Sequence, residues 1–370
     1  MHEAAAAELD LLIADLEAWV NEDTSSGDAA ANDRFAAALA ERLGEYGLDA
    51  RLVPGGEHGL YVHASLEGAG RARIALLCHH DTIFPAGTAA ARPFRVEGDH
   101  VYGPGVADMK GGLAVAAHAA RLLAFGPRPF AEVLVVSAPD EEIRSTGPWT
   151  LEPLEEFDAV LCLECGRVDG SVVSARKGAR WVRVNAIGRP AHAGVDPESG
   201  ANAILALCRE GVRLGAIEGV QLTEFHGGDF LNTVPGSATL TLDLRAETSA
   251  ELDRMVELVR GTGELEDVRF VVEDLGGPPP LERTPAVAAL AETAMALGAE
   301  LGHAFGESLT GGVSDGSWTA SQGIPTLDGL GPVGGLDHTP DEYVELGSFA
   351  TRCGVVAGLV AAIDSGLLGQ

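Results

Sequence analysis

The sequence has few cysteines, little positive charge and no long apolar run, and each shortage excludes something. Cysteines occur only at 78, 162, 165, 208 and 353, an odd number in 370 residues. That count argues against a disulfide framework and for reduced thiols. Cys162-Leu163-Glu164-Cys165 has CxxC spacing, but no second pair accompanies it. Apolar Ala159-Val160-Leu161 precedes it, so it reads as core rather than a thiolate metal site. Lysine and arginine number 25 against 55 acids, a formal net charge of −30. A chain so acidic repels phosphate backbones, which removes nucleic acid from the expected partners. No stretch approaches the roughly 18 apolar residues that span a bilayer. Met1-His2-Glu3 also lacks the basic and apolar regions of a signal peptide. The expectation is a soluble cytoplasmic protein with no membrane partner.

Hydrophobic residues make up 46% of the chain, ample for a core, and 370 residues exceed what one core usually serves, so two domains are expected. Glu8 to Val20 and Phe35 to Tyr46 carry apolar stripes at helical spacing. Strand signals follow at Gly59 to Ser65 and Ala72 to Cys78, a helix at Met109 to Phe125, and a β-rich run at Ala131 to Ser137. Strands alternating with helices predict an α/β domain with a mixed sheet covered by helices. From Ala179 the order becomes strand (Trp181 to Ile187), helix (Asn202 to Leu214), strands (Val220 to Phe225, Thr239 to Arg245), helix (Ala250 to Val259) and strand (Val268 to Val272). This βαββαβ order is that of a ferredoxin-like α+β unit. The predicted organisation is a domain of residues 1–177 and 285–370 with residues 178–284 inserted into it.

Chemistry concentrates where these elements end. The apolar run Ile74 to Cys78 leads into His79-His80-Asp81-Thr82. Strand alternation points His79 and Asp81 one way and His80 the other, which suits a metal-binding imidazole and a carboxylate that orients it. Taken alone, a histidine at a strand end is more often structural. Asp108, in Gly103-Pro104-Gly105-Val106-Ala107-Asp108-Met109-Lys110-Gly111-Gly112, stands at a helix start, where an N-cap is an equal reading. Asp140-Glu141-Glu142 follows the strongest strand, at the edge where open α/β sheets place ligands. A solvated acidic loop is the plain alternative. Glu164 repeats that placement, and His338 lies in the turn Gly334 to Tyr343. Together, two histidines and several carboxylates form a mixed N/O donor set suited to zinc, and a shared carboxylate can hold two ions about 3.5–4 Å apart.

These motifs, in this order and over nearly the whole chain, resemble the dinuclear zinc exopeptidase and deacylase family. That family includes glutamate carboxypeptidase, aminoacylase, acetylornithine deacetylase and succinyl-diaminopimelate desuccinylase, and the motifs read most like the first. The resemblance implies two Zn²⁺ per subunit, with Co²⁺ or Mn²⁺ as substitutes. His79 and Glu164 would bind one ion, Glu142 and His338 the other, with Asp108 bridging and Asp81 orienting His79. It makes Glu141 the general base and acid, taking a proton from the attacking water and passing it to the leaving amine. Gly188-Arg189-Pro190-Ala191-His192-Ala193-Gly194 resembles the family segment whose histidine, here His192, stabilises the oxyanion in the partner subunit. A homodimer through the inserted domain follows from that likeness.

Asn232 and Arg245 resemble residues that hold the substrate carboxylate, and Gly312 and Ser314 lie in a segment resembling a substrate loop. A structural salt bridge is an equal reading for Arg245. Arg167, Arg176 and Lys177 are candidate partners for an acidic side chain. The implied reaction is metal-dependent hydrolysis of an amide bond in a small N-acyl amino acid or dipeptide-like substrate, releasing an amino acid with a free carboxylate. N-acyl-amino-acid deacylation, a biosynthetic amide-forming reaction and a non-catalytic metal- or peptide-binding role are the alternatives.

Overall fold

The structure, a computed structural model, describes residues 6–143, 154 and 156–369. Among these residues no helix is long and apolar enough to cross a membrane. The chain divides into two compact units, one running up to Ala175 with Leu281–Thr310 and Ser314 onward, the other Arg176–Pro280 with Gly311–Val313.

The first unit is built on a six-stranded mixed sheet. In chain order its strands are β1 (Asp49–Pro54), β2 (Leu60–Glu67), β3 (Arg73–His79), β4 (Glu132–Ala138), β5 (Ala159–Cys162) and β6 (Thr326–Leu327). Their spatial order is β1-β2-β4-β3-β5-β6, with β1, β2 and β4 antiparallel in sequence and β4, β3, β5 and β6 parallel. Strand β3 is buried on both faces, as a central parallel strand must be. Ile74, Leu76 and Cys78 enter the main core, while Ala75 and Leu77 pack in a second cluster with Leu134, Val136 and Val160.

Helices α1 (Leu9–Val20), α2 (Ala29–Glu45), α3 (Gly111–Ala124) and α4 (Ser348–Asp364) supply much of the rest of the main core. Helix α2 begins six residues before the apolar stripe predicts. Its first turns are alanine, asparagine, aspartate and arginine, and the start is fixed by Asp28, whose side chain accepts the Ala31 N–H at 3.1 Å. Leu39 on this helix is fully buried. Leu39→Ala is expected to cost about 2–5 kcal/mol, the range for truncating a core leucine. A lowered urea midpoint would register it.

The second unit follows the βαββαβ order. Strands β7 (Gly178–Ile187), β8 (Val220–Gly227), β9 (Ser237–Ala246) and β10 (Val268–Gly276) form an antiparallel sheet in the order β8-β9-β7-β10, which is the ferredoxin-like arrangement. The helices Ala203–Leu214 and Ser249–Arg260 cover one face and share a core with Val184, Leu240, Leu242 and Leu244.

Candidate metal centre

Because β4, β3 and β5 are parallel neighbours, their carboxyl ends share one edge of the sheet. His79 ends β3, Glu141 and Glu142 lie on a 3-10 turn just after β4, and Glu164 follows β5. Strand alternation is borne out in the geometry of the two histidines. His80 turns into the core, stacking on Phe35 at 5.3 Å between centroids, with Nδ1 2.9 Å from the Ser137 hydroxyl. His79 turns toward the carboxylates: its Nε2 lies 3.0 Å from Asp108 Oδ1 and 3.7 Å from Glu164 Oε1.

Asp108 reaches this edge from a loop rather than from a helix start. Residues Val106–Lys110 form a π-type turn in which Asp108 (φ −121°, ψ 93°) is not helical, and α3 begins only at Gly111. Close approach here depends on glycine. A Cβ on Gly112 would sit 1.8 Å from the Leu163 carbonyl oxygen, just before Glu164. The other Asp108 oxygen, Oδ2, lies 3.1 Å from His338 Nε2, which is also 3.2 Å from Glu142 Oε2. Asp108 thus stands between two donor groups, His79 with Glu164 and Glu142 with His338.

Asp81 faces His79 Nδ1 with both its backbone and its side chain. Its backbone carbonyl is the nearer acceptor for His79 Nδ1, at 3.0 Å, with the carboxylate at 3.4 Å. The buried carboxylate also accepts the Ser26 hydroxyl at 2.7 Å and the backbone N–H groups of Glu141 and Glu142 at 3.1 and 3.3 Å. It therefore anchors the turn that carries both glutamates. Asp140, the first of the three consecutive acids, leaves the cluster and accepts the Tyr61 hydroxyl at 2.7 Å.

The electrostatics show a site short of positive charge. Burial, reinforced by the charge of Asp108, pushes Glu142 up to about 8 and Glu164 well above the ordinary carboxyl range. Burial likewise lifts Glu141, with Asp315, Asp108 and Glu142 adding to it and His79 opposing. Burial disfavours charge on His79, but its contacts with Asp108 and Asp81 prevail and raise its pKa. The contact with Asp108 raises His338 to about 9. Glu142 Oε1 is buried without a hydrogen-bond partner among the described residues. Crowded carboxylates, two imidazoles and an orphaned buried oxygen make a donor set suited to divalent cations. The donor set fits one ion on each side of Asp108.

The remaining predicted residues lie outside this cluster. His192, in the second unit, is exposed on a short antiparallel ladder in which it pairs with Thr233, and its Nδ1 accepts the Gly194 N–H at 3.1 Å. Asn232 is exposed, its carbonyl accepting the Ala193 N–H. Arg245 forks onto Asp243 in its own strand at 2.7 and 3.0 Å. The Gly312 carbonyl accepts from Arg176 at 3.1 Å. Ser314 is buried, giving its hydroxyl to Asp328 at 2.5 Å. Arg167 donates to the Cys165 carbonyl.

Two residues at the site had no predicted role. Glu342 is buried and holds the Asp108 loop through backbone N–H groups. Lys110 is buried, donating to the Trp19 and Glu22 carbonyls at 3.0 and 2.7 Å at the end of α1, and burial lowers it to about 7. In the sequence Glu342 is one acid of an acidic turn, and nothing local sets it apart.

Residues 75–362 match the profile described as Peptidase family M20/M25/M40. Carboxypeptidase G2 of a Pseudomonas species is 31% identical, over 99% of this chain and 92% of its own length. In fold the chain is similar to aminopeptidase PepT of Bacillus cereus, with a TM-score of 0.79 at 19% identity over 96% of this chain and 98% of that one. It is also similar to a dinuclear metal binding peptidase of Bacillus subtilis, with a TM-score of 0.76 at 15% identity over 97% and 99%. With most of its length matched by the profile and a relative of that identity along nearly all of it, the chain belongs to peptidase family M20/M25/M40 and is a metal-dependent hydrolase of amide bonds.

Proposed function

We propose that this hydrolase releases a carboxy-terminal amino acid, glutamate in preference, from a small peptidyl or N-acyl substrate, using two zinc ions. The observation that carries the reading is Asp108 set between His79 with Glu164 and Glu142 with His338. The carboxypeptidase named among the relatives supports cleavage at the carboxy-terminal residue. Ions held by these five side chains supply Lewis acidity toward the scissile carbonyl and lower the pKa of water. Glu141, which stands beside the donors without being one of them, takes the proton of the attacking water and returns it to the leaving nitrogen. Asp81 keeps Glu141 and Glu142 in register through its two backbone contacts.

In this reading residues 178–284 form a dimerisation domain, and His192 stabilises the oxyanion in the partner subunit. Arg245 takes the substrate carboxylate with its planar fork, exchanging Asp243 for it, and Asn232 and Gly312 add polar contacts. Ser314, its hydroxyl held by Asp328, contributes through its backbone. Purified protein supplied with Zn²⁺ is expected to show its highest kcat/KM on substrates ending in glutamate, assayed against neutral and basic carboxy-terminal residues and N-acetyl amino acids. Faster turnover of neutral N-acyl amino acids would replace this reading with a deacylase. No turnover of any member of that panel would overturn it.

A further inference from the structure

Glu342 is four residues beyond His338 and fully buried, yet it is not itself a member of either donor group. Its carboxylate faces the loop that delivers Asp108: Oε2 accepts the Gly105 N–H at 3.0 Å, and Oε1 accepts those of Ala107 and Asp108 at 2.7 and 3.0 Å. That loop is irregular, with Gly105 at φ 74° and Asp108 outside the helical region, so these N–H groups are not all served by a helix or strand ladder. A carbonyl could satisfy one or two of them, whereas a carboxylate satisfies three at once and fixes the turn. The same segment carries His338, itself held at φ 63°, and continues into Tyr343–Glu345, which pairs with His100–Tyr102 just before the loop. The contacts close a ring from Glu342 through the loop to Asp108, across 3.1 Å to His338, and back along the chain.

We infer that Glu342 is a positioning residue that sets the separation of Asp108 and His338, and so tunes how tightly the metal centre holds its ions. This inference rests on the two-metal reading. It assigns Glu342 no contact with substrate or ion. Outer partners that orient metal ligands typically change metal affinity by about 10–100-fold when removed.

The test is Co²⁺ titration of metal-free protein, followed by visible absorption and by competition with a chelator, on wild type and three variants. Circular dichroism of the metal-free forms establishes that each is folded. Glu342→Ala is expected to weaken Co²⁺ binding by about 10–100-fold. Glu342→Asp, which keeps the charge but falls a methylene short of the loop, is expected to weaken it too. Glu342→Gln keeps one oxygen for Ala107 and Asp108 but sets an amide NH2 against the Gly105 N–H, so its affinity is expected to fall between those of Glu342→Ala and wild type; if the other variants do not fold, wild-type affinity in Glu342→Gln would overturn the inference. Wild-type Co²⁺ affinity in folded Glu342→Ala or Glu342→Asp would overturn the inference and leave the two-metal reading standing. Wild-type protein that takes up no Co²⁺ would overturn both.

Discussion

Glu141→Gln is expected to lower kcat by about 10³-fold, inside the roughly 10²–10⁴ span that a positioned acid–base group contributes. KM is expected to change little, because the residue is assigned to moving protons and not to holding substrate. Metal content should remain at the wild-type level, since Glu141 belongs to neither donor group around Asp108. The amide retains the size of the carboxylate, and the Glu141 backbone N–H still donates to Asp81. The comparison with Glu142→Gln makes the test specific. Glu142 lies 3.2 Å from His338, and its loss should weaken metal binding as well as turnover. If Glu141→Gln lost metal while Glu142→Gln kept it, the two roles would be exchanged. If Glu141→Gln turned over normally, the proton carrier would have to be another group.

The difference between these adjacent glutamates was visible in the sequence only through family likeness; nothing local distinguishes two neighbouring acids on one turn. The sheet edge was more legible. Apolar runs ending in polar residues at His79, Asp140 and Glu164 mark parallel strands whose ends meet, and period-two alternation separated His79 from His80. Asp108 was legible as a residue but not in its conformation, because a glycine-rich lead into an alanine-rich helix looks the same whether the acid caps the helix or precedes it in an irregular turn. Asp81 shows a related limit. Its proximity to His79 follows from alternation, but which of its oxygens faces the ring depends on where Ser26, Glu141 and Glu142 come to lie. The Glu342 clasp joins positions more than 230 residues apart and has no local sequence signal. In the second unit the βαββαβ order was readable because β7, β9 and β10 alternate against a single core and each helix has one apolar face, while β8 is exposed beyond Val220.

Asp108→Ala is expected to remove both ions, whereas losing any other donor leaves one side of the pair intact. Asp108 offers Oδ1 at 3.0 Å to the His79 side and Oδ2 at 3.1 Å to the His338 side, so one substitution strips a ligand from each. Metal analysis after dialysis should give two zinc per subunit for wild type and less than one for the variant, with activity lost alongside. Stability gives an independent readout. A ligand that binds only the folded state adds about 2.7 kcal/mol when present at 100 times its Kd. Zn²⁺ should therefore raise the melting temperature of wild type and barely move that of Asp108→Ala. Without metal the difference between the two proteins should narrow, because the part that comes from bound ions is gone. A variant that kept two ions would show that Asp108 is not shared, and the donors would then have to be regrouped around separate ions.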